Sequence, residues 1–267
     1  MKTTSEHASK AANHPALVTL ARAGFVTSGL LHILIGWIAV RVATGSTDGG
    51  GEEASNSGAL AQIAETPGGQ VLLWVMVAGL AGLGLWRLTT IFIAQEAKDK
   101  ARGAILGVIM FSLAFTTSTF ARGQKSSDSG KAKDVTGDVL AMPFGKWAVI
   151  IAGLVVIGVG AYGIYKGATR KFKEELEAGT TSGNVGTAIV AIGTFGYVAR
   201  GVAFGTLGVL IVQAALTNDP EKAGGLDAAL RTLSAQPYGM ALLILVGLGF
   251  AAYGVYSIAR ARYAEEI

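Results

Sequence analysis

The sequence contains no cysteine among its 267 residues. Disulfides, thiolate metal sites and thiol nucleophiles are therefore excluded within this chain. Charged residues are also scarce, at 15%, whereas 51% of the residues are hydrophobic and 38 are glycine. Because one water-soluble core cannot bury so large an apolar fraction, the composition indicates a membrane protein.

Aspartate and glutamate are absent from the long apolar stretches of the sequence. Transport coupled to protons or cations usually needs an intramembrane acid, so this function is disfavoured. Strand-like alternation is also absent, which disfavours a β-barrel. Each stretch approaches the roughly 20 residues that a bilayer requires. The stretches predict six transmembrane helices, at about 24–43, 70–94, 103–120, 146–168, 194–216 and 238–259.

Motifs of known enzymes are missing as well. The sequence has no nucleophile elbow, no H-E-x-x-H zinc motif and no phosphate-binding loop. The stretch GVGAYG at 158–163 matches part of a dinucleotide-binding fingerprint, but it lies inside a predicted helix. Basic patches are short and interrupted by acids, which disfavours nucleic acid as a partner. We therefore expect a protein without enzymatic activity, metal or cofactor.

The orientation in the membrane follows from the positive charges. The first 21 residues are polar and no small-residue cleavage site follows the first apolar run, so we expect the first helix to be retained. Of the 22 lysines and arginines, twelve lie in segments on the side of the termini, eight on the opposite side and two within apolar runs. Since positive loops mark the cytoplasm, both termini are expected to be cytoplasmic in a multi-pass protein of the cell membrane.

A repeated phrase reveals the internal organisation. AYGIYK at 161–166 and AYGVYS at 252–257 end two of the predicted helices, and LGLWRL ends another at the same place. Each of these helices follows a Pro-x-Gly hinge, at Pro67, Pro143 and Pro237. The chain therefore reads as three copies of a two-helix unit. Because each unit returns the chain to its starting side, the copies are parallel and a pseudo-threefold axis along the membrane normal is predicted.

The predicted fold class is thus an all-α polytopic membrane protein with six transmembrane helices. The expected segments are a polar start (1–21), repeat 1 (22–97), repeat 2 (98–177), a flexible cytoplasmic linker (178–192) and repeat 3 (193–260). Within the loop after the fourth helix, KFKEELEA is expected to form a short helix with its charges in water. The tyrosines of the repeated phrase are interpreted as anchors at the inner membrane interface, with a packing glycine between them.

The odd-numbered helices share glycine and aromatic positions. Gly24-Phe25 with Gly29 and Gly36 matches Gly196-Tyr197 with Gly201 and Gly208. The middle copy departs, with Lys98-Asp99 in place of glycine and aromatic and Met110 in place of the last glycine. Together with Gly58-Ala59-Leu60 before Pro67-x-Gly69, this pattern resembles the bacterial domain of unknown function 1206 family. The resemblance implies an integral membrane protein with three tandem two-helix units, and it implies no activity.

Glycines at helical spacing are the candidate packing residues. Small residues allow the backbones of neighbouring membrane helices to approach closely. The alternative is that the glycine faces leave room for a lipid tail or a moving helix. The candidates are Gly29, Gly36, Gly103, Gly107, Gly201, Gly205 and Gly208.

Few polar side chains fall within the apolar stretches. Arg87 and Arg200 do so, and together with Arg22 and Arg102 they are candidates for binding an anionic lipid or ligand. Arg22, Arg102 and Arg200 are predicted to form a ring of guanidinium groups on the cytoplasmic side. His32 is the one histidine within an apolar stretch. Its side chain is expected either to form a hydrogen bond with a neighbouring residue or to act as a ligand or proton relay.

Three classes of function remain open from the sequence. The first is a scaffold or accessory subunit that packs against other membrane proteins, lipids or a second copy of itself. The second is a transporter or binding protein for a small or lipid-like anionic solute. The third is an enzyme or cofactor protein that uses His32, and the residues support this class least. A glycine surface facing lipid would favour the first class, and a polar cavity on the axis would favour the second.

Overall fold

The computed structural model describes residues 14–46, 52–94, 96–176 and 183–263 and is built from helices. Six of them are long and apolar enough to cross a bilayer, which confirms the predicted number: α1 (Pro15–Ala43), α3 (Gly69–Ile93), α4 (Ala97–Ala121), α6 (Gly145–Ala168), α7 (Gly183–Thr217) and α9 (Gly239–Tyr263). Three are short: α2 (Asn56–Glu65), α5 (Asp128–Leu140) and α8 (Gly225–Ser234). Two 3-10 turns cover Lys171–Glu175 and Pro220–Lys222.

The three Pro-x-Gly hinges have the same backbone geometry. The middle residue is left-handed in each, with φ of 77° at Gly68, 64° at Phe144 and 61° at Tyr238. The following glycine begins the next long helix, and a Cβ there would overlap a carbonyl oxygen or backbone atom of the preceding short helix or its end. A close approach of backbones, rather than an unusual φ, therefore requires Gly69, Gly145 and Gly239.

The long helices pack in a regular order that crosses the boundaries between copies. The second long helix of each copy packs against the first of the next copy, in the pairs α3–α4, α6–α7 and α9–α1. This cyclic pattern is that of a pseudo-threefold ring, as predicted. Within copies, α1 packs against α3 and α7 packs against α9. In the part of the chain that the structure describes, α4 and α6 of the middle copy make at most marginal contact.

Burial of the long helices follows from this order. The membrane-spanning windows of α6 and α4 are 17% and 28% buried, compared with 39% to 50% for the other four. α4 and α6 are also the two helices of the middle copy that make at most marginal contact with each other. The ring is therefore open along one side, between α4 and α6.

Hydrogen bonds tie the copies together on the side of the ring where the three hinges lie. On the face of the hinges, the Ser57 backbone N–H and hydroxyl donate to the Asp128 carboxylate at 2.9 and 2.7 Å, which links the first and second copies. The Ala54 N–H donates to Asp227 at 2.9 Å, and Arg231 donates to the Glu52 carbonyl at 3.0 Å, which links the first and third. The short helices α2, α5 and α8 thus form a polar cap. We call this side the hinge face and the other side, where α1 begins and α9 ends, the terminal face.

The segment between the second and third copies differs from the prediction. Residues 171–175 form a 3-10 turn rather than a water-facing helix, and Phe172 is fully buried against Tyr197 and Tyr256. Helix α7 begins at Gly183, inside the expected linker, because Ile189 and Val190 pack on this cluster. Residue 177, the last of predicted repeat 2, and residues 178–182 of the predicted linker lie outside the described residues.

The repeated phrase is not structurally equivalent in its two occurrences. Gly160 packs against Gly201, and Gly254 packs in the same way against Gly29, so the equivalent residues are 254 − 160 = 94 apart rather than 91. The hinge prolines, Pro143 and Pro237, have the same spacing of 94. The interpretation as an interface anchor is wrong for the second occurrence, because Tyr253 and Tyr256 are buried in the bundle. In the first occurrence, both tyrosines are exposed.

Candidate functional site

Arg200 lies in the middle of α7, 17 residues from each end. Its neighbour Gly201 packs against Gly160, which lies eight residues before the end of α6 at Ala168. The guanidinium carbon is 4.6 Å from the centre of the Tyr253 ring and 5.1 Å from that of the Phe204 ring. These contacts are cation–π interactions, and none of the ion pairs among the described residues involves Arg200.

His32 of α1 approaches the same aromatic residue. Its ring centre is 4.8 Å from that of Tyr253, and it stacks on Phe250 at 5.9 Å. Nδ1 lies 2.7 Å from the Ser28 carbonyl oxygen. A carbonyl only accepts, so Nδ1 donates, and in the neutral ring Nε2 is left as an acceptor. Arg200 and His32 therefore bring a cation and a hydrogen-bond acceptor to Tyr253 from two different helices.

The other candidate arginines have different surroundings. Arg22 is exposed at the start of α1. Arg87 lies over the rings of Phe25 and Trp86, at 5.8 and 4.8 Å. Arg102 pairs with Glu175 at 3.0 Å. The contacts of Arg102 and Arg200 involve different residues, Glu175 for the first and the Phe204 and Tyr253 rings for the second, and the ring of Arg22, Arg102 and Arg200 stays a prediction.

A buried charge cluster lies at the terminal face of the ring. Glu175 forms ion pairs with Lys166 of α6, with Arg260 of α9 at 3.1 Å and with Arg102 of α4 at 3.0 Å. The Tyr197 hydroxyl of α7 lies 3.4 Å from the same carboxylate. One carboxylate therefore joins four long helices, and the Arg102 bond spans the side on which α4 and α6 do not pack.

Glu175 remains ionised in this position. Burial by itself would raise the pKa of its carboxyl, but the charges of Arg260, Lys166 and Arg102 together hold the pKa at about 2. The cluster contains three cations and one anion, and the side chains of Lys166 and Arg260 are only 8% and 13% exposed. The Glu175 carboxylate is therefore charged at neutral pH and stabilises the contacts among these helices.

Sequence reasoning missed this cluster, although a signal was present. Lys166 and Arg260 each follow a hinge proline by the same distance, since 166 − 143 and 260 − 237 are both 23. Aligning the copies on the hinges would have placed the two cations at equivalent points of the ring. Glu175 had no comparable signal, because it lies in an irregular segment without a counterpart in the other copies.

The candidate glycines lie at contacts between helices. An added Cβ at Gly29 would come within 2.6 Å of the Gly254 oxygen, one at Gly103 within 2.8 Å of the Arg87 oxygen and one at Gly201 within 2.7 Å of the Gly160 oxygen. Close contacts of the same kind exist at Gly36, Gly107 and Gly208. Gly205 differs, because a Cβ there would meet no heavy atom within 4 Å.

Comparison with known proteins agrees with the three-copy architecture. A model of the family described as Domain of Unknown Function (DUF1206) matches the chain three times, over residues 23–90, 102–170 and 195–264. The chain is also 28% identical over 258 residues to a protein of Bacillus subtilis (strain 168) described as uncharacterized protein YxxB, covering 93% of this chain and 92% of that protein. No solved structure matches the chain. The three matched segments coincide with the three two-helix copies of the structure, and the chain therefore belongs to the DUF1206 family of multi-pass membrane proteins.

Proposed function

We propose that this protein binds an anionic, lipid-like ligand inside the helix ring, with the anionic group at Arg200. The observation that supports the proposal is the Arg200 guanidinium, which lies against the rings of Phe204 and Tyr253 and forms no ion pair with a described carboxylate. A cation without a counter-charge is costly in a medium of low dielectric constant, and such residues in membrane proteins mark ligand or ion pathways. A bound carboxylate or phosphate would supply the missing charge through a forked hydrogen bond.

The route to this site is the open side of the ring. The helices α4 and α6 do not pack against each other along their length, so an amphiphile could pass from the bilayer between them. Arg102 and Glu175 bridge this side only near the terminal face. A ligand that enters laterally keeps its tail in the hydrocarbon while its head reaches the interior, which favours a lipid-like molecule over a small hydrophilic anion.

His32 is the second ligand-contacting residue in this proposal. With Nδ1 engaged by Ser28, Nε2 can accept a hydrogen bond from a hydroxyl or a protonated acid group of the ligand. In the proposed orientation both termini are cytoplasmic, in the cell membrane, and the hinges Pro67, Pro143 and Pro237 lie at the outer interface. The positive charges of the terminal side support this orientation.

The test compares lysine variants in the purified full chain. Arg200→Lys keeps the charge but loses the planar fork, so we expect one specific anionic ligand to be lost from the protein, measured by native mass spectrometry. Arg22→Lys, an exposed change, is the matched control and should retain the ligand. His32→Phe keeps the stacking on Phe250 and should weaken retention without loss of stability. Identical, heterogeneous lipid in all four proteins would contradict the proposal.

A scaffold or accessory role is the second candidate, and one observation favours it. Helix α6 is the least buried of the six, and Gly158 on it would accept a Cβ without any contact within 4 Å. A partner helix or a second copy could pack there. Most other glycine faces are used within the chain, which is why the scaffold proposal ranks second. Pull-down with Gly158→Leu as the variant would test it, with loss of a defined partner as the supporting result.

A further inference from the structure

A groove of about 490 Å³ lies along α7, next to the end of α6. Its walls are mostly apolar, from Val190, Ala191, Phe195 and Val198 of α7. Two threonines and one arginine also line it: Thr187, Thr194 and Arg170. The groove is distinct from the site at Arg200, because two residues of helix place Arg200 about 200° around α7 from Val198.

Arg170 provides the charge at the rim of the groove. It follows the last residues of α6, with φ at 58° in the left-handed region, where glycine is the usual residue. A non-glycine residue in this conformation is strained, so nothing in the local backbone favours arginine there. Its side chain forms no ion pair with a described carboxylate.

The two threonines of the groove differ in one respect. The Thr187 hydroxyl donates to the Gly183 carbonyl at 2.9 Å, the usual bond of a threonine in a helix. The Thr194 hydroxyl is shielded and has no partner among the described residues. Thr194 thus offers a donor whose hydrogen bond is not yet made.

We propose that this groove binds one phospholipid with a net negative headgroup. The phosphate pairs with Arg170, an ester oxygen of the glycerol region accepts from Thr194, and an acyl chain lies along the apolar wall. The groove combines one arginine without an ion pair to a described carboxylate, one threonine hydroxyl without a described partner and an apolar wall, which are the three kinds of contact that a phospholipid needs. This proposal is independent of the ligand at Arg200, since the two sites share no residue.

The first test uses the difference between the threonines. The delipidated full chain is incubated with vesicles of phosphatidylglycerol or of phosphatidylcholine with the same acyl chains, and bound lipid is counted by native mass spectrometry. Thr194→Val should lower phosphatidylglycerol retention by about fivefold, the value of one hydrogen bond. Thr187→Val, at the same groove, should leave retention unchanged because its hydroxyl is already bonded.

The second test uses the strained arginine. Arg170→Gly removes the charge and relieves the left-handed backbone, so the preference for phosphatidylglycerol over phosphatidylcholine should disappear while the melting temperature rises or stays the same. Phe144→Gly relieves a similar backbone at the hinge face and should not change lipid binding. Equal retention in the Thr194→Val and Thr187→Val variants, or an unchanged lipid preference in Arg170→Gly, would overturn the proposal.

Discussion

The first and third copies keep their own two helices in contact, whereas the middle copy does not. Helices α1 and α3 pack together, as do α7 and α9, but α4 and α6 are separated. All three contacts between successive copies are nevertheless present. The ring is therefore held by its contacts between copies, and the contacts within copies can be lost without opening the whole bundle.

The glycine positions explain this difference. Gly24 packs against Gly79 within the first copy, and Gly196 packs against Tyr253 within the third. The matching position of the middle copy is Lys98, which is exposed. A lysine has no place in a close contact between backbones, so the contact within the copy is absent where the glycine is absent.

A second set of glycines shows the opposite behaviour. Gly29, Gly103 and Gly201 are equivalent in the three copies, and each lies at the contact with the second long helix of the preceding copy. Here the glycine is present in every copy and so is the contact. The loss of one glycine type and the retention of the other therefore account for the opening between α4 and α6 and for the contacts kept between copies.

The largest effect is expected at Glu175, whose ion pair with Arg102 is the one that spans the open side among the described residues. Glu175→Gln leaves Lys166 and Arg260 buried without a counter-charge, and breaking such a cluster costs about 3–5 kcal/mol. The melting temperature in detergent measures this loss. Glu174→Gln, at the exposed neighbouring carboxylate, is the control and should change little.

The comparison of the wild type with Glu175→Gln also predicts how the stability depends on pH. Because the pKa of Glu175 is lowered from its ordinary value of 4.5 to about 2, the stabilisation is complete above 4.5 and lost as the pH falls toward 2. The difference in melting temperature between wild type and Glu175→Gln should therefore be constant from pH 8 to pH 5 and shrink below about 4.5. A difference that already changes between pH 8 and pH 6 would show that another group controls the cluster.

A smaller effect is expected at the contacts between copies. Gly29→Leu forces side-chain atoms into the backbone of α9, at a cost of about 1–3 kcal/mol from overpacking. Gly205→Leu places the same side chain in open space and should stay within about 0.5 kcal/mol of wild type. Thermal unfolding of the two variants measures the difference, and equal losses would mean that steric contact with α9 is not the cause.

The smallest effect on the melting temperature is expected at the hinges. The first copy has Gly68 in the left-handed position, whereas the third has Tyr238, which is 91% exposed. Tyr238→Gly removes the strain of about 1 kcal/mol and should raise the melting temperature in detergent slightly. A clear loss of stability would show that the Tyr238 side chain makes a contact whose stabilisation outweighs the backbone strain.

The sequence predicted the six helices, the three copies and the hinges, because each depends on local spacing of apolar, proline and glycine residues. It did not predict that α4 and α6 separate, although Lys98 and Met110 marked the middle copy as different. It also missed Glu175, whose role depends on cations from three other helices far apart in the chain. The placement of Arg200 beside Tyr253 likewise depends on packing between α7 and α9, which no local pattern records.

Disulfide trapping shows most directly whether the ring is open between α4 and α6, the two helices of the middle copy. The chain has no cysteine, so introduced pairs report without background. A Cβ at Gly79 would lie 3.2 Å from that of Ala23, so Ala23→Cys with Gly79→Cys should cross-link α1 to α3 in membranes. The equivalent pair of the middle copy, Ala97→Cys with Val155→Cys, should not cross-link α4 to α6. Cross-linking of both pairs at the same rate would contradict the open ring.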